Sequence, residues 1–217
     1  MFTLTELITR VRTLLSDPTA LRFSAEVLQE GARNALQALS DRLPRELELD
    51  LNAVQSGRIQ PFSGLTSPLY LMRIGYPVAG GNINQLEPEV NFSYRMEDGQ
   101  PVVHFLGSPV PQTGDLIHVI YAAPHTLSGL DAAAETTLPE GALAALVNGT
   151  AGHASLLRAH ALLETSGGRP GEVDSLLKVA QIRLDIFEKN LADLRIFQEF
   201  GFPQGFALDQ WDHREVF

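Results

Sequence analysis

Apolar residues recur at helical spacing in two stretches of the first 45 positions. In the stretch 3–15 they lie three or four residues apart, as Leu4, Leu7, Ile8, Val11, Leu14 and Leu15. This spacing predicts an amphipathic helix. Thr3 and Glu6 form a capping box at its start, and Asp17-Pro18 ends it.

The second stretch begins at Ser24, where Phe23 and Leu28 flank the start as a hydrophobic staple. Its apolar face continues to Leu39, and Leu43-Pro44 stops it. A short loop between two such helices predicts a helical hairpin.

The middle of the chain changes period. From Glu46 to Asp50 leucines alternate with acidic residues, which predicts a strand with one buried face. Asp98-Gly99 between two apolar runs is a strong hairpin signal. Several short strands at this spacing predict a small antiparallel sandwich or barrel. The further strand candidates are Pro68–Ile74, Val90–Tyr94, Val102–Leu106 and Leu116–Ala122.

Helical spacing returns near Pro139 and runs to about Glu164. A glycine-rich break follows, and the last helix is predicted from about Glu172 to Phe200. About 28 residues at roughly 1.5 Å each give a helix of roughly 42 Å. The remaining segment, Gly201–Phe217, has no periodicity and is rich in aromatic residues.

The predicted fold class is therefore α+β. Two N-terminal and two C-terminal helices, the last one long, form a helical bundle, into which a small antiparallel β-module is inserted. The predicted boundaries are 1–45 and 138–200 for the helical body, 46–137 for the β-module and 201–217 for an extended C-terminal arm.

The Ala-rich third helix has two apolar faces. One contains Leu143, Leu146, Val147 and Leu157, and the other contains Ala145, Gly149, Gly152, Leu156, Ala159 and Leu163. A helix that is apolar nearly all round is buried on several sides. Either the long helix and the β-module cover both faces, or a neighbouring subunit does. The candidates for such packing between subunits are Leu146, Gly149, Gly152, Leu156, Leu157 and Leu163.

Composition narrows the function. The chain has 217 residues, no cysteine and a net charge of −10, so thiolate chemistry is excluded and binding to nucleic acid phosphates is disfavoured. The acidic excess lies in the middle and C-terminal parts. No apolar run has the length of a membrane span, and the first helix does not read as a signal peptide. These features predict a protein made in the cytoplasm that has no membrane partner.

Catalytic and metal-binding signals are weak. The sequence has no serine elbow, phosphate loop or dinucleotide fingerprint, and we expect no cofactor and no metal. His153 and His160 are seven residues apart, about two helical turns, which is too far to share a metal ion. His104 and His118 lie in adjacent strand candidates and could approach each other. The loose carboxylate groups are Glu87, Glu89, Glu97 and Asp98, and in the tail Asp209 and Asp212 beside His213.

The sequence resembles the head–tail connector, or adaptor, proteins of tailed bacteriophages. The resemblance begins with LTELITRVRTLLSDP and FSAEVLQEGARNALQALSDRLP and resumes at DLIHVIYAAPHTLSGLDAAAETTLPEGALAALVNGTAGHASLLRAHALLE. The resemblance consists in the order of the elements. A first helix ends in an Asp-Pro loop, a second helix starts at Phe-Ser, and after the middle region a strand that ends in Tyr-x-x-x-His is followed by a Leu-Pro helix start and an Ala-rich helix. The β-module is larger than in the compact helical adaptors.

The resemblance implies a structural virion protein without catalytic activity. It implies a homo-oligomeric ring, usually of twelve subunits, below the portal in the neck, where it extends the DNA channel and carries the next neck or tail component. Gly201–Phe217 would then be the portal-binding arm, and an acidic channel would let DNA pass without sticking. The candidate arm residues are Phe202, Pro203, Phe206, Trp211 and Phe217.

Two alternatives stay open. One is another neck or tail component, such as a stopper or a tail terminator, although those are mostly β and here helices flank the β-module. The other is an enzymatic or small-molecule-binding domain that uses the β-module. It requires a cavity with convergent polar groups around His104 and His118.

Overall fold

Four helices and six strands make up the part of the chain that the computed structural model describes, which is residues 2–78, 90–139, 141–164 and 170–200. The helices are α1 (Leu4–Leu14), α2 (Ala25–Arg42), α3 (Ala142–Glu164) and α4 (Pro170–Phe200). The strands are β1 (Arg45–Asn52), β2 (Ile59–Pro61), β3 (Tyr70–Gly75), β4 (Phe92–Glu97), β5 (Gln100–Phe105) and β6 (Leu116–Ala123). The predicted α+β class is confirmed. The predicted arm, 201–217, lies outside the described residues.

Side-chain caps start the first two helices as predicted. Thr3 Oγ1 accepts the N–H of Glu6 at 3.4 Å, and Ser24 Oγ accepts the N–H of Val27 at 3.3 Å. Each bond satisfies a backbone donor that has no partner within the helix.

A buried carboxylate holds the loop between α1 and α2. The Asp17 side chain is 2% exposed and accepts backbone N–H groups from Leu21, Arg22 and Phe23 at 2.9 to 3.0 Å, with the Arg12 guanidinium at 3.3 Å. Burial by itself would raise the pKa of Asp17. The three backbone hydrogen bonds and the charge of Arg12 together lower it by more, so the pKa lies below the ordinary value. This loop therefore depends on an ionised Asp17.

The chain divides into two compact units, residues 1–43 with 125–217, and residues 44–124. We call them the helical unit and the β-module. In the helical unit α3 packs against α4, α2 and α1. Its buried core joins residues from both ends of the sequence, among them Leu7, Leu28, Leu146, Phe187 and Leu191. No local segment supplies this core alone.

The β-module holds two three-stranded antiparallel sheets. Sheet A has the order β1-β6-β3, and sheet B has the order β2-β5-β4. Between them lies a separate buried core that includes Phe62, Ile74, Val103, Phe105 and Val119. Asp98 and Gly99 have φ of 50° and 76° at the turn between β4 and β5. The hairpin predicted there is confirmed, because only residues tolerant of positive φ suit this two-residue turn.

Two details differ from the sequence-based boundaries. The three-residue strand β2 had no signal, because it is too short to show alternation and contains Pro61. Residues 125–137, expected in the β-module, group with the helices. The reason is hydrogen bonding to the N-terminal part of the chain: the N–H of His125 donates to Ser40 Oγ at 3.0 Å, and Thr136 Oγ1 donates to the carbonyl of Phe2 at 2.6 Å.

Candidate functional site

The middle of the third helix is covered by its own chain. Gly149 lies so close to its neighbours that a Cβ would come within 2.9 Å of Ala35 and 3.0 Å of the Phe187 ring. A Cβ on Gly152 would meet Leu184 at 2.8 Å. The small residues of α3 therefore admit α2 and α4 of the same chain, so at these positions coverage by the chain itself, one of the two alternatives left open by the sequence, is the one that occurs.

The six candidates for packing between subunits separate into two groups. Leu146, Gly149 and Gly152 are buried inside the helical unit and present no surface to another subunit. Leu156 and Leu157 are half-buried, and Leu163, near the end of α3, is 65% exposed. Only the second group remains available for packing between subunits. The five arm candidates, Phe202, Pro203, Phe206, Trp211 and Phe217, lie outside the described residues.

The fold keeps the two strand histidines apart. His104 is on β5 in sheet B, and His118 is on β6 in sheet A. His118 Nδ1 lies 2.7 Å from Oδ1 of Asp50, its partner across the β1–β6 pair. His104 is exposed. The approach that the sequence left open does not occur, because the two strands belong to different sheets and the buried positions next to the histidines, Val103 on β5 and Val119 on β6, face the core instead.

A shallow depression of about 200 Å³ adjoins His104 on sheet B, and its lining includes Ile59, Ser93, Arg95 and Val102. This volume is below the roughly 300–1,000 Å³ of ordinary ligand sites. Arg95 is paired with Glu97 at 2.6 Å, so its charge is already engaged. The convergent set of polar groups that the enzymatic alternative requires does not form around both histidines.

The other titratable candidates are dispersed. Burial lowers the pKa of His153, whereas His160 is exposed on the same helix. Asp98 lies in the β4–β5 turn, and the remaining acidic and histidine candidates, Glu87, Glu89, Asp209, Asp212 and His213, lie outside the described residues. Across the described ranges no three His, Asp or Glu side chains come together as a metal site.

Tyr76 and Asp115 are joined inside the β-module by a hydrogen bond of 2.6 Å from the phenol to the carboxylate. Burial, followed by this bond, raises the pKa of Tyr76 to about 12. The same bond and the N–H of Gln112 lower the pKa of Asp115. The pair fixes the turn before β6 and leaves the phenol protonated at neutral pH.

An acidic row follows the outer face of β1. Glu46, Glu48 and Asp50 are exposed and alternate with half-buried leucines. Asp50 faces His118 in the register, whereas Glu48 faces Ile120. The alternation predicted a buried face for this strand, and the structure adds that the three carboxylates form one continuous edge of sheet A.

Sequence reasoning did not predict which strands are outermost in the two sheets, nor that the N–H of Val90, just before β4, donates to the carbonyl of Ile74 on β3 at 3.1 Å. Within the described residues β1 pairs only with β6, and β4 pairs only with β5. Tyr94 and Met96 on β4 are 36% and 44% exposed. Alternation alone could have marked β4 as amphipathic, but the order of strands in the sheets decides which strand is an edge.

None of the helices, over the residues described, is both long and apolar enough to cross a membrane. No family model matches the chain, and no curated protein matches it either.

Among solved structures the chain is similar to parts of gene transfer agent (GTA) particles. One is from the neck of an empty GTA particle with C6 symmetry, with 20% identity over 82% of this chain and 87% of that chain and a TM-score of 0.30. Another is from the virion of a native gene transfer agent, with 19% identity over 82% and 87% and a TM-score of 0.29. A third is from the neck of a native GTA particle with C12 symmetry, with 19% identity over 79% and 88% and a TM-score of 0.28. TM-scores this low do not establish a shared fold.

Proposed function

We propose that this chain is a structural protein in the neck of a phage-like virion. In this role it is an adaptor that forms a homo-oligomeric ring under the portal, extends the DNA channel and carries the next neck or tail component. The proposal starts from the resemblance of the sequence to head–tail adaptors. It assigns the chain no catalytic activity and no cofactor.

The observation that carries the proposal is the way the helical unit closes. Helices from the two ends of the chain pack against α3, and in the sequence the β-module stands between α2 and α3. This is the order of elements that the resemblance implies. A helical body with its own buried core and a separate module suits a rigid building block, and the described residues bring no catalytic set together.

The acidic row on β1 suits a DNA channel. Glu46, Glu48 and Asp50 carry three carboxylates on one exposed edge, and carboxylates repel the phosphates of passing DNA. We propose that this row contributes to the acidic lining, and that the virion neck is where the protein acts after synthesis in the host cytoplasm.

The C-terminal segment is the proposed portal-binding arm. Gly201–Phe217 follows α4 directly and holds four aromatic residues, Phe202, Phe206, Trp211 and Phe217, together with Pro203. Aromatic side chains dominate the energetics of protein interfaces. We assign these five residues as the anchors of the arm on the portal.

Sedimentation velocity of the chain, alone and mixed with a purified portal ring, tests the function. We expect a single heavier species with one adaptor ring per portal. Removing 201–217 should abolish this species and leave the far-UV circular dichroism unchanged. Leu21→Ser is the matched control, because Leu21 is 85% exposed in the loop between α1 and α2 and should not affect docking.

A chain that stays monomeric in the presence of the portal contradicts the adaptor role. Docking that is retained after removal of 201–217 contradicts only the assignment of the arm.

The small-molecule alternative rests on one observation, the depression beside His104 and Arg95. A ligand bound by the wild type and lost in His104→Ala would favour it over the structural role.

A further inference from the structure

Strand β1 is the open edge of sheet A. Within the described residues its eight positions, Arg45–Asn52, pair in continuous register with β6 alone. The other outer strand of sheet A, β3, is bonded on its far side, because the carbonyl of Ile74 accepts the N–H of Val90 at 3.1 Å. β1 is therefore the side of sheet A to which a further strand can be added.

The free backbone groups of this edge belong to alternate residues of β1. In an antiparallel pair, residues alternate between those bonded to the partner strand and those directed away from it. Ala53, directly after β1, is bonded toward β6, because its N–H donates to the carbonyl of Asp115 at 2.8 Å and its carbonyl accepts the N–H of Gly114 at 2.9 Å. Counting back in twos, the leucines of β1 bond to β6 and the residues between them face the open side. The backbone groups on the open side are those of Glu46, Glu48, Asp50 and Asn52.

The core face of β1 is incompletely covered. Leu47, Leu49 and Leu51 are half-buried, whereas the residues opposite them on β6 are buried. The apolar layer of the β-module thus extends one strand beyond its cover. A strand added beside β1 buries this remaining surface if it carries an apolar side chain at every second position.

The opposite face of β1 favours a basic strand. Glu46, Glu48 and Asp50 are exposed and occupy every second position. Asp50 lies beside His118, whose Nδ1 is 2.7 Å from its carboxylate, and in the described part of the chain neither glutamate is paired with a lysine or arginine. Opposite charges on neighbouring strands stabilise a pair and like charges destabilise it. Lysine or arginine at alternate positions therefore complements this face.

The segments of this chain outside the described residues lack that composition. Residues 79–89 contain two glutamates and no lysine or arginine, and residues 201–217 contain three acidic residues and one arginine. Residues 165–169 are fewer than the eight positions of β1. The β1 strand of a second copy would place carboxylates against carboxylates. Charge complementarity therefore favours a strand of another protein.

We propose that β1 binds, by strand addition, a segment of a partner protein in which lysine or arginine alternates with apolar residues. Its backbone bonds to the open side of β1, its apolar side chains cover the leucines, and its cations lie beside the carboxylates. This inference goes beyond the proposed function, because it requires neither the ring nor the portal. Carboxylates covered in this way no longer face DNA, so on an occupied subunit the partner strand replaces the channel lining.

A labelled peptide of alternating lysine and valine, as long as β1, is the probe for this edge. Fluorescence anisotropy with the full-length chain measures its binding. We expect it to bind about tenfold more tightly than a peptide of the same composition with its lysines and valines in two blocks, because only the alternating peptide separates its charged and apolar faces as a strand. No binding, or equal binding of the block peptide, would overturn the proposal.

Two substitutions at Glu48 separate backbone pairing from charge. Glu48→Pro and Glu48→Gln both remove the carboxylate, but only proline also removes the N–H on the open side. Proline is tolerated on an edge strand where its missing N–H faces solvent. We expect Glu48→Pro to bind the alternating peptide about tenfold more weakly than Glu48→Gln, with the same far-UV circular dichroism. Equal affinities of the two folded variants would contradict the strand pairing.

N-methylated peptides test the pairing on the wild-type chain and need no folded variant. Methylation of every lysine nitrogen in the backbone removes the donors from one edge of the peptide, and methylation of every valine nitrogen removes them from the other. Because one edge of the peptide faces β1, we expect one methylated peptide to bind about tenfold more weakly than the other. Equal binding of the two would reject strand addition.

Neutralising the carboxylates tests the charge of the partner. In the triple variant Glu46→Gln, Glu48→Gln, Asp50→Asn we expect the preference for the lysine–valine peptide over a serine–valine peptide to disappear. Asp41→Asn, at an exposed carboxylate on α2, is the control and should keep it. A preference that survives in the triple variant would contradict a basic partner. Failure of the peptide tests leaves the adaptor role intact, whereas a chain that binds the peptide and never the portal rejects the adaptor role alone.

Discussion

The helical unit buries the middle of its most apolar helix, α3, within its own core, whereas the β-module leaves many apolar side chains exposed. Residues 149–152 of α3 are four consecutive buried positions, a full helical turn. Of the thirteen large apolar side chains that are exposed among the described residues, nine lie within 44–124. The difference indicates that the β-module offers more apolar surface to partners than the helical unit does.

The two units also differ in the sequence distance of their contacts. The helical unit closes only when the first 43 residues meet helices that lie a hundred positions later. The β-module forms its core within 81 residues, from 44 to 124. A substitution in the core of one unit should therefore leave the other folded, and the following experiments test that separation.

The largest expected effect is at Phe187 in α4, which is 1% exposed and contacts Gly149. Phe187→Ala should lower the free energy of unfolding of the helical unit by about 3–5 kcal/mol, through lost burial and an unfilled cavity. Urea unfolding followed by circular dichroism at 222 nm measures it. Ile182→Ala is the control on the same helix, because Ile182 is 57% exposed and should change stability by less than about 0.5 kcal/mol. Equal losses would contradict the assignment of the core.

A smaller effect, dependent on pH, is expected at Asp17. Asp17→Ala leaves buried N–H groups without their acceptor and should cost about 1–3 kcal/mol at neutral pH. Because the pKa of Asp17 in the fold lies below its ordinary value of 3.8, its stabilisation is complete above that value. It is lost as the pH falls through the lowered pKa.

The measurement compares urea midpoints of the wild type and Asp17→Ala from neutral pH into acid. The gap between the two should narrow below pH 3.8. Asp41→Ala is the control, since Asp41 is an exposed carboxylate on α2. A gap that stays constant into acid would show that the ionised carboxylate does not hold this loop.

The smallest effect is expected when the β-module is removed. Arg45 and Ala123 are partners in the β1–β6 pair, so a short glycine–serine linker spans the roughly 5 Å between them. Replacing 45–123 by this linker should leave the helical unit folded, with little change in its unfolding midpoint, because its core is separate. An aggregated or unfolded product would show that the two units depend on each other.

Local signals predicted most of the elements. Thr3 and Ser24 start their helices, and Asp98-Gly99 turns the β4–β5 hairpin. These are interactions between residues at most a few positions apart, so they can be identified in a single sequence. The strand β2 was missed because its pairing with β5 is set by residues about 45 positions away.

The candidate site was less predictable. The small residues of α3 are equally suited to a helix of the same chain or of a neighbour, and only the packed structure shows that Ala35, Leu184 and Phe187 fill the space. Likewise, His104 and His118 lie near each other in the sequence of strands but belong to different sheets.

The sequence by itself determined the spacing of the apolar residues, the helix caps and the turns. These determine the α+β class, with two helices before and two helices after a β-module in the chain. Tertiary structure alone decided which apolar faces are covered and which strands are edges. The physical reason is that hydrogen bonds in caps and turns act over a few residues. Burial and strand order depend instead on which distant segments meet, and a pattern of apolar residues does not specify its partner.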